Sequence, residues 1–206
     1  DSLIVTWVTT DLIAEIAKDF GVDVYRPGVG FNKIAEVALD YIVMPEIAER
    51  YSLEREKIHY KRDGVKSIAS TLGIDRESLL NEIEEILREK LLGGFEESNG
   101  MSLGGHTLEK DGLLAAVMVV EIALYAKAEK VTLVDLLNQL YDKYGYYATV
   151  NYPLILDKVT GNSDKEIIMD SLDRIAKTVS SKPVDNPIIV DGKELVQVEY
   201  GEDRRV

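Results

Sequence analysis

The first thirty residues constrain the fold most, because they hold a strand, a helix and a second strand joined by very short links. "LIVTWVT" (residues 3–9) is a β-branched apolar run, the pattern of a strand buried on both faces. "DLIAEIAKDFG" follows at once, with Asp11 placed to cap a three-turn helix and Gly21 placed to end it. "VDVYRPGVG" (residues 22–30) is a second short strand closing on a Pro/Gly turn, after which "FNKIAEVALDYI" resumes the helical period. Two strands separated by a single helix cannot be paired by a tight hairpin, so they lie parallel. The expected fold is therefore an α/β sheet flanked by helices.

Composition narrows the chemistry. The 206 residues carry 24 Lys and Arg against 37 Asp and Glu, a formal charge of −13. Phosphate backbones are bound by clustered cations, so nucleic acid is not an expected partner. An anionic metabolite would be repelled by the global field and must be met by a few placed cations and backbone N–H groups. Cysteine is absent, which removes thiolate nucleophiles, thiolate metal sites and disulfides. With two histidines, His59 and His106, a multi-histidine metal site is not expected. No run approaches the roughly 18–20 apolar residues that span a bilayer, and the amino terminus lacks the basic region of a signal peptide. A cytoplasmic setting without membrane attachment is the expectation. The chain also opens directly on a strand, as if a domain had been excised from a longer polypeptide.

Residues 44–90 read differently. "IAERYSLEREKIHY", "VKSIASTLGI" and "RESLLNEIEEILREK" are charge-rich helical segments broken at Gly64 and Gly73, with Asp75 as the N-cap of the last. They read as a helical excursion outside the sheet core. "LLGGFEE" returns to strand. "DGLLAAVMVVEIALYAK" (residues 111–127) is so uniformly apolar that burial on most of its surface is expected. "TLVDLLNQLYDKYGYY" is an amphipathic helix with Thr132 as N-cap and Gly145 at its end. Residues 163–179 form one more amphipathic helix, "SSKPVDNP" a turn-rich linker, and "PIIVDGKELVQVEYGEDRR" a hairpin around Asp191-Gly192. The division expected is residues 1–150, with the insertion at about 44–90, and residues 151–206 as a linker helix and hairpin, the possible start of a further truncated domain.

The chemistry gathers in "GGFEESNGMSLGGHTLEKDG". Gly93-Gly94 lets the chain turn at the carboxyl end of a strand, the edge at which open α/β sheets bind ligands. In an extended loop residues i and i+2 face the same way, so Glu96 and Ser98 pair on one side and Glu97 points elsewhere. A carboxylate and a hydroxyl so placed suit two sugar hydroxyls. His106 and Lys110, just ahead of a helix N-terminus, add one titratable and one permanent donor. Together they have the chemistry of a phosphosugar site. On composition alone Glu-Glu-Ser is equally a solvated turn. A single histidine in a glycine-rich loop is more often merely exposed, and Asp111 is a better N-cap than ligand.

Two of these stretches, "GGFEESNG" with "HTLEKDGLLAAV" and then "LVDLLNQLYDKYGYY", resemble the third domain of the α-D-phosphohexomutases, the phosphoglucomutases and phosphomannomutases. "TWVTTDLIAEIAKDFGVDVYRPGVGFNKIAE" is similar to the start of that domain, so the resemblance covers residues 3–42 and 91–147. It implies a small mixed sheet of about four strands, here with a helical insertion and a C-terminal helix plus hairpin. It implies that Glu96 and Ser98 hold hexose hydroxyls, that His106 and Lys110 face the cleft, and that Lys110, with His106 beside it, is a candidate for assisting proton transfer. Where the family commonly has Gly-aromatic-Lys, this chain departs from the pattern with Gly30, Phe31, Asn32 and then Lys33, and Lys33 is the residue that would take over that substrate contact.

The resemblance also implies an isomerase acting by intramolecular phosphoryl transfer between hexose 1-phosphate and hexose 6-phosphate, through a hexose 1,6-bisphosphate that doubles as activator. Such enzymes use magnesium, a phosphorylated serine and an Arg-Ser-Gly-Thr phosphate loop, and none of those motifs occurs in this sequence. The chain is therefore expected to hold no metal site, to be inactive alone, and to work with hexose phosphate and the other domains of a parent enzyme. Two further readings stand beside it. One is a free-standing sugar-phosphate binding module. The other is an interaction domain acting through the insertion, with "EREKIHYKR" as its mixed-charge face.

Overall fold

The computed structural model describes residues 1–98, 100–148, 163–168, 170, 171 and 174, together with strand residues 188–190 and 193–195. Residues 1–149 make one compact unit and residues 150–205 another. In the first, β1 (Ser2–Val5), α1 (Leu12–Asp19) and β2 (Asp23–Tyr25) form the expected parallel unit, with Leu3 opposite Val24 and Ile4 opposite Tyr25. Gly21 takes the left-handed conformation (φ 67°) that lets the helix stop and reverse. Asp11 stands at the N-cap position, but its carboxylate pairs with Arg26 at 2.8 Å instead of closing on the helix amides.

β3 (Leu91–Phe95) runs parallel to β1, and β4 (Met101–Leu103) antiparallel to β3, giving the order β2-β1-β3-β4. The mixed four-stranded α/β sheet anticipated above is therefore present. β4 carries no strong signal of its own. Met101 and Leu103 alternate around buried Ser102 between glycine turns, which is the one trace it leaves in sequence.

The helices between β2 and β3 correct the sequence reading. α2 (Phe31–Val37), a π-helical stretch (Ala38–Val43) and α3 (Met44–Arg50) succeed one another without a break. Pro45 stands immediately after the widened turn, where it lacks the N–H an α-helix would use. A short 3₁₀ turn (Arg55–Lys57) leads to α4 (Tyr60–Leu72), kinked at Gly64 (φ 69°), and then to α5 (Arg76–Lys90). Asp75 caps α5 as expected, accepting from the Ser78 amide at 2.9 Å. These elements are no excursion from the core; they supply most of it. Ile47, Ile68, Leu79, Ile83, Ile86 and Leu87 join Ile4, Ile34 and Leu91 in one buried cluster. Buried Asp40, in the π-helical turn, reaches across to the start of α4, where it accepts from the amides of Tyr60 and Lys61 and lies 3.0 Å from His59 Nδ1. The charges of "EREKIHYKR" are spent largely on neighbours: Lys57 on Glu54, Lys61 on Glu36 and Arg62 on Asp63.

α6 (Gly112–Ala128) is the second correction. Asp111 caps it through amides of Leu113 and Leu114, yet Ala126 is its one buried residue, and Leu113 is 84% exposed. Apolar composition measures how much a helix would gain from a neighbour, not whether one is at hand. α7 (Leu133–Tyr144) starts in a reciprocal capping box between Thr132 and Asp135 and ends at Gly145, as anticipated. Its far end is tied to α1, where Lys143 and Tyr144 both reach Asp19. No helix among the described residues is long and apolar enough to cross a membrane.

In the second unit, residues 163–168, 170, 171 and 174 are helical, in line with the predicted helix, whose remaining positions lie outside the described residues. β5 (Ile188–Val190) and β6 (Lys193–Leu195) pair antiparallel with Val190 opposite Lys193, the hairpin expected around Asp191-Gly192. The "SSKPVDNP" linker lies outside the described residues.

Candidate functional site

The carboxyl ends of the three parallel strands meet at one edge of the sheet, and the polar loops gather there. Two glycines let β3 run to that edge. A Cβ on Gly94 would lie 2.6 Å from Ile34 Cγ2, and one on Gly93 2.6 Å from the Ser102 carbonyl oxygen. The strand is thus pressed between α2 and β4 where side chains cannot fit. After Phe95 the chain turns back on itself, the Glu96 amide donating to the Gly100 carbonyl at 2.8 Å.

Glu96 is buried, its side chain 3% exposed, and its Oε2 lies 2.6 Å from Lys110 Nζ. The same oxygen receives a long contact from Ser98 Oγ at 3.4 Å. Glu96 and Ser98 therefore share a side, as the alternation predicts. Lys110 is half exposed and lies 5.9 Å from the centre of the Phe31 ring, where the ring face favours a cation. Gly100 makes this closeness possible: a Cβ there would stand 2.6 Å from Glu96 Oε2 and 2.8 Å from Lys110 Cε.

Glu97 turns the other way. Its Oε2 accepts from the Thr6 hydroxyl at 3.0 Å, and Thr6 in turn lies 2.8 Å from the Thr9 hydroxyl. Local sequence does not mark this contact, because Thr6 and Glu97 are 91 residues apart.

The other two sequence-predicted residues find protein partners. His106 places Nδ1 2.8 Å from the Leu103 carbonyl and Nε2 2.8 Å from Asp111 Oδ2. Both partners are acceptors, so the ring is best satisfied when both nitrogens carry protons. The Leu103 carbonyl first, and then the Asp111 carboxylate, hold its pKa above the ordinary histidine value. Asp111 is held below the usual carboxylate range, by the Leu114 amide first and His106 second. Lys33 does not reach the Glu96 pair. It shares Glu36 Oε2 with Lys61, each at 2.9 Å, and the two ammonium groups hold that carboxyl below its usual range. The structure thus joins Glu96, Ser98 and Lys110, sets His106 against the cap of α6, and leaves Lys33 on the outer face of α2.

Comparison with known proteins finds a family similarity over this part of the chain. Residues 80–144, from α5 through α7 and including every residue of the Glu96 loop, match the phosphoglucomutase/phosphomannomutase alpha/beta/alpha domain III. Over those residues the chain is similar to the third domain of the phosphoglucomutases and phosphomannomutases. It is 40% identical over 73 residues to glucose 1,6-bisphosphate synthase of Mus musculus, covering 35% of this chain and 12% of that protein. It is 44% identical over 59 residues to the Homo sapiens protein of the same name, covering 29% of this chain and 10% of that one. The phosphomannomutase of Mycoplasma genitalium is 25% identical over 169 residues, 81% of this chain and 22% of the relative. The chain thus spans between about a tenth and a quarter of the length of these relatives. No solved structure matches it.

Family enzymes use magnesium. Among the described residues no three His, Asp or Glu side chains converge as a metal site requires. Glu96 is committed to Lys110 and Glu97 to Thr6. The ion does not fit these residues.

Proposed function

We propose that residues 1–149 are the sugar-recognition domain of a hexose-phosphate mutase, an enzyme interconverting hexose 1-phosphate and hexose 6-phosphate through a bisphosphate. The buried Glu96 carboxylate, with Ser98 beside it and Lys110 across it at the carboxyl edge of the sheet, carries this reading. A carboxylate shielded from water forms stronger hydrogen bonds to hydroxyl donors than an exposed one. Ser98 can donate or accept beside it, which matches a vicinal pair of sugar hydroxyls. Lys110 supplies a cation for the phosphate as the sugar engages Glu96 and is the candidate for assisting proton transfer, and His106, whose pKa the Leu103 carbonyl and the Asp111 carboxylate raise, adds a titratable donor nearby in the chain. The domain's contribution to rate is positional, where a misplacement of about 1 Å can cost about 10²-fold.

The sequence contains no serine-phosphorylation or Arg-Ser-Gly-Thr motif, so the 206 residues alone are expected to bind hexose phosphate without turning it over. The phosphoryl donor and magnesium belong, on this reading, to other domains of a parent enzyme in the cytoplasm. The test is ligand-dependent thermal stability. Glucose 1,6-bisphosphate at 100 times its Kd should stabilise the chain by about 2.7 kcal/mol. Glucose 1-phosphate and mannose 1-phosphate, which share hydroxyls at C3 and C4, should both act. Galactose 1-phosphate, inverted at C4, should act far more weakly. Equal stabilisation of wild type and a Glu96→Ala, Ser98→Ala variant would sink the assignment.

A further inference from the structure

We propose that Glu97, acting with Thr6 and Thr9, is a positioning residue: a hydrogen-bonded relay from its carboxylate holds the Glu96–Ser98 loop in register with the ends of β1 and β2. The inference rests on the sugar-recognition reading for its purpose, though not for its geometry.

Glu97 lies between the two residues assigned to the sugar and faces away from them. An ionised carboxylate only accepts, so Thr6 Oγ1 must donate to Glu97 Oε2 across their 3.0 Å contact. Thr6 has one hydroxyl proton, and with that proton committed the 2.8 Å contact with Thr9 must run from Thr9 to Thr6. The direction of the whole chain, Thr9 to Thr6 to Glu97, is fixed by the acid at its end. Such chains polarise cumulatively, and the charge at the terminus strengthens each link.

The relay joins loops that backbone bonding leaves separate. The Thr6 amide donates to the Phe95 carbonyl at 3.1 Å, extending the β1–β3 ladder by one step and no further. Beyond it the chain folds back through the Glu96–Gly100 bond, and the Glu97 side chain is what returns this loop to β1. At the other end, the Thr9 amide bonds the Thr6 carbonyl at 2.8 Å, and the Thr9 carbonyl accepts from Arg26 Nη1 at 3.4 Å. The Trp7 amide reaches the Pro27 carbonyl at 3.0 Å. Arg26 and Pro27 lead from β2 to the turn that opens α2, whose first residue, Phe31, lies under Lys110. Thr6 is wholly buried, so its hydroxyl has no water to substitute for a lost partner. Glu97 itself is exposed, and its role is to act through Glu96 and Ser98 and not to touch substrate.

The experiment uses the full chain and four variants: Thr6→Val, Thr6→Ser, Glu97→Ala and the Thr6→Val, Glu97→Ala double. Without ligand, hydrogen exchange at the Glu96 amide should quicken by about 5–10-fold in each single removal, the weight of one charge-assisted hydrogen bond in a half-buried setting. The double variant should exchange no faster than either single, and Thr6→Ser should stay within about 2-fold of wild type. Exchange at the Ile4 amide, in the middle of β1, should be unchanged throughout. In a second arm, affinity for glucose 1,6-bisphosphate should fall by a similar factor in the two removals and recover in Thr6→Ser. Unchanged Glu96 exchange, additive effects in the double variant, or equal quickening at Ile4 would each overturn the relay. If wild type binds no glucose 1,6-bisphosphate, the sugar reading fails, and the exchange arm still decides the relay.

Discussion

Gly100→Ala is the smallest change that addresses the centre of the site. Its added methyl would stand 2.6 Å from Glu96 Oε2, 2.8 Å from Lys110 Cε and 3.0 Å from Lys110 Cδ. The gap to Glu96 must open by about 0.8 Å to reach ordinary contact. Lys110 is half exposed and can yield, whereas the Glu96 side chain, 3% exposed, is enclosed and cannot move far. The 2.6 Å ion pair is therefore stretched or broken, and overpacking of this kind costs about 1–3 kcal/mol. A loop Gly→Ala change recovers about 0.4–1 kcal/mol through the unfolded chain, leaving a net loss of about 1–2 kcal/mol. For a chain of this size that is a fall in the unfolding midpoint of about 2–8 °C. Gly112→Ala is the control, since nothing lies within 4 Å of a Cβ there and the residue opens α6. It should be neutral or slightly stabilising. Scanning calorimetry of both variants, with glucose 1,6-bisphosphate titrated into each, separates the cases. Affinity should fall about 10-fold, or about 1.4 kcal/mol, in Gly100→Ala and hold in Gly112→Ala. If Gly100→Ala matches wild type in midpoint and affinity, the reasoning that ties Gly100 to the Glu96–Lys110 contact is wrong.

Leu79→Ala, deep in the helices between β2 and β3, should cost about 2–5 kcal/mol in urea denaturation, as a core position does; a cost below about 1 kcal/mol would return that segment to the periphery. His106 should titrate above the ordinary histidine value by NMR, and Asp111→Ala should lower its midpoint. Because its folded pKa is raised, the stabilisation from His106 is complete below about pH 6.5 and is lost as pH rises through the folded value. The Asp111 contribution runs the other way, complete above the ordinary carboxylate range and lost as pH falls through its lowered folded pKa, so the pair is strongest from about pH 4 to 6.5. Thr132→Ala removes half of the capping box and should cost about 1 kcal/mol, read as a lower unfolding midpoint with less helix by circular dichroism.

What could be read from sequence was what local chemistry decides. The caps at Asp75, Asp111 and Thr132 announce themselves because the acceptor and the amide it serves are two or three residues apart. The opening parallel unit followed from link lengths, and the shared side of Glu96 and Ser98 from strand alternation. What escaped needed partners from elsewhere in the chain. The buried stripe of Ile68, Leu79, Ile83 and Ile86 is hidden among charges, and its value depends on Ile4 and Ile34 facing it. The exposure of α6 depends on how little packs against it among the described residues. Lys110 lies 14 residues from Glu96 and could be named, yet their pairing rests on the space that Gly100 leaves open. Asp40 serving the start of α4, and Glu97 serving Thr6, are contacts between segments 20 and 91 residues apart that no local pattern encodes.

The most direct measurement is a backbone-amide NMR titration of the chain with glucose 1,6-bisphosphate, beside the Glu96→Ala, Ser98→Ala variant. The account predicts saturable shifts concentrated in residues 94–112 and absent from the variant. No shift at millimolar ligand, or shifts that persist when Glu96 and Ser98 are gone, would contradict it.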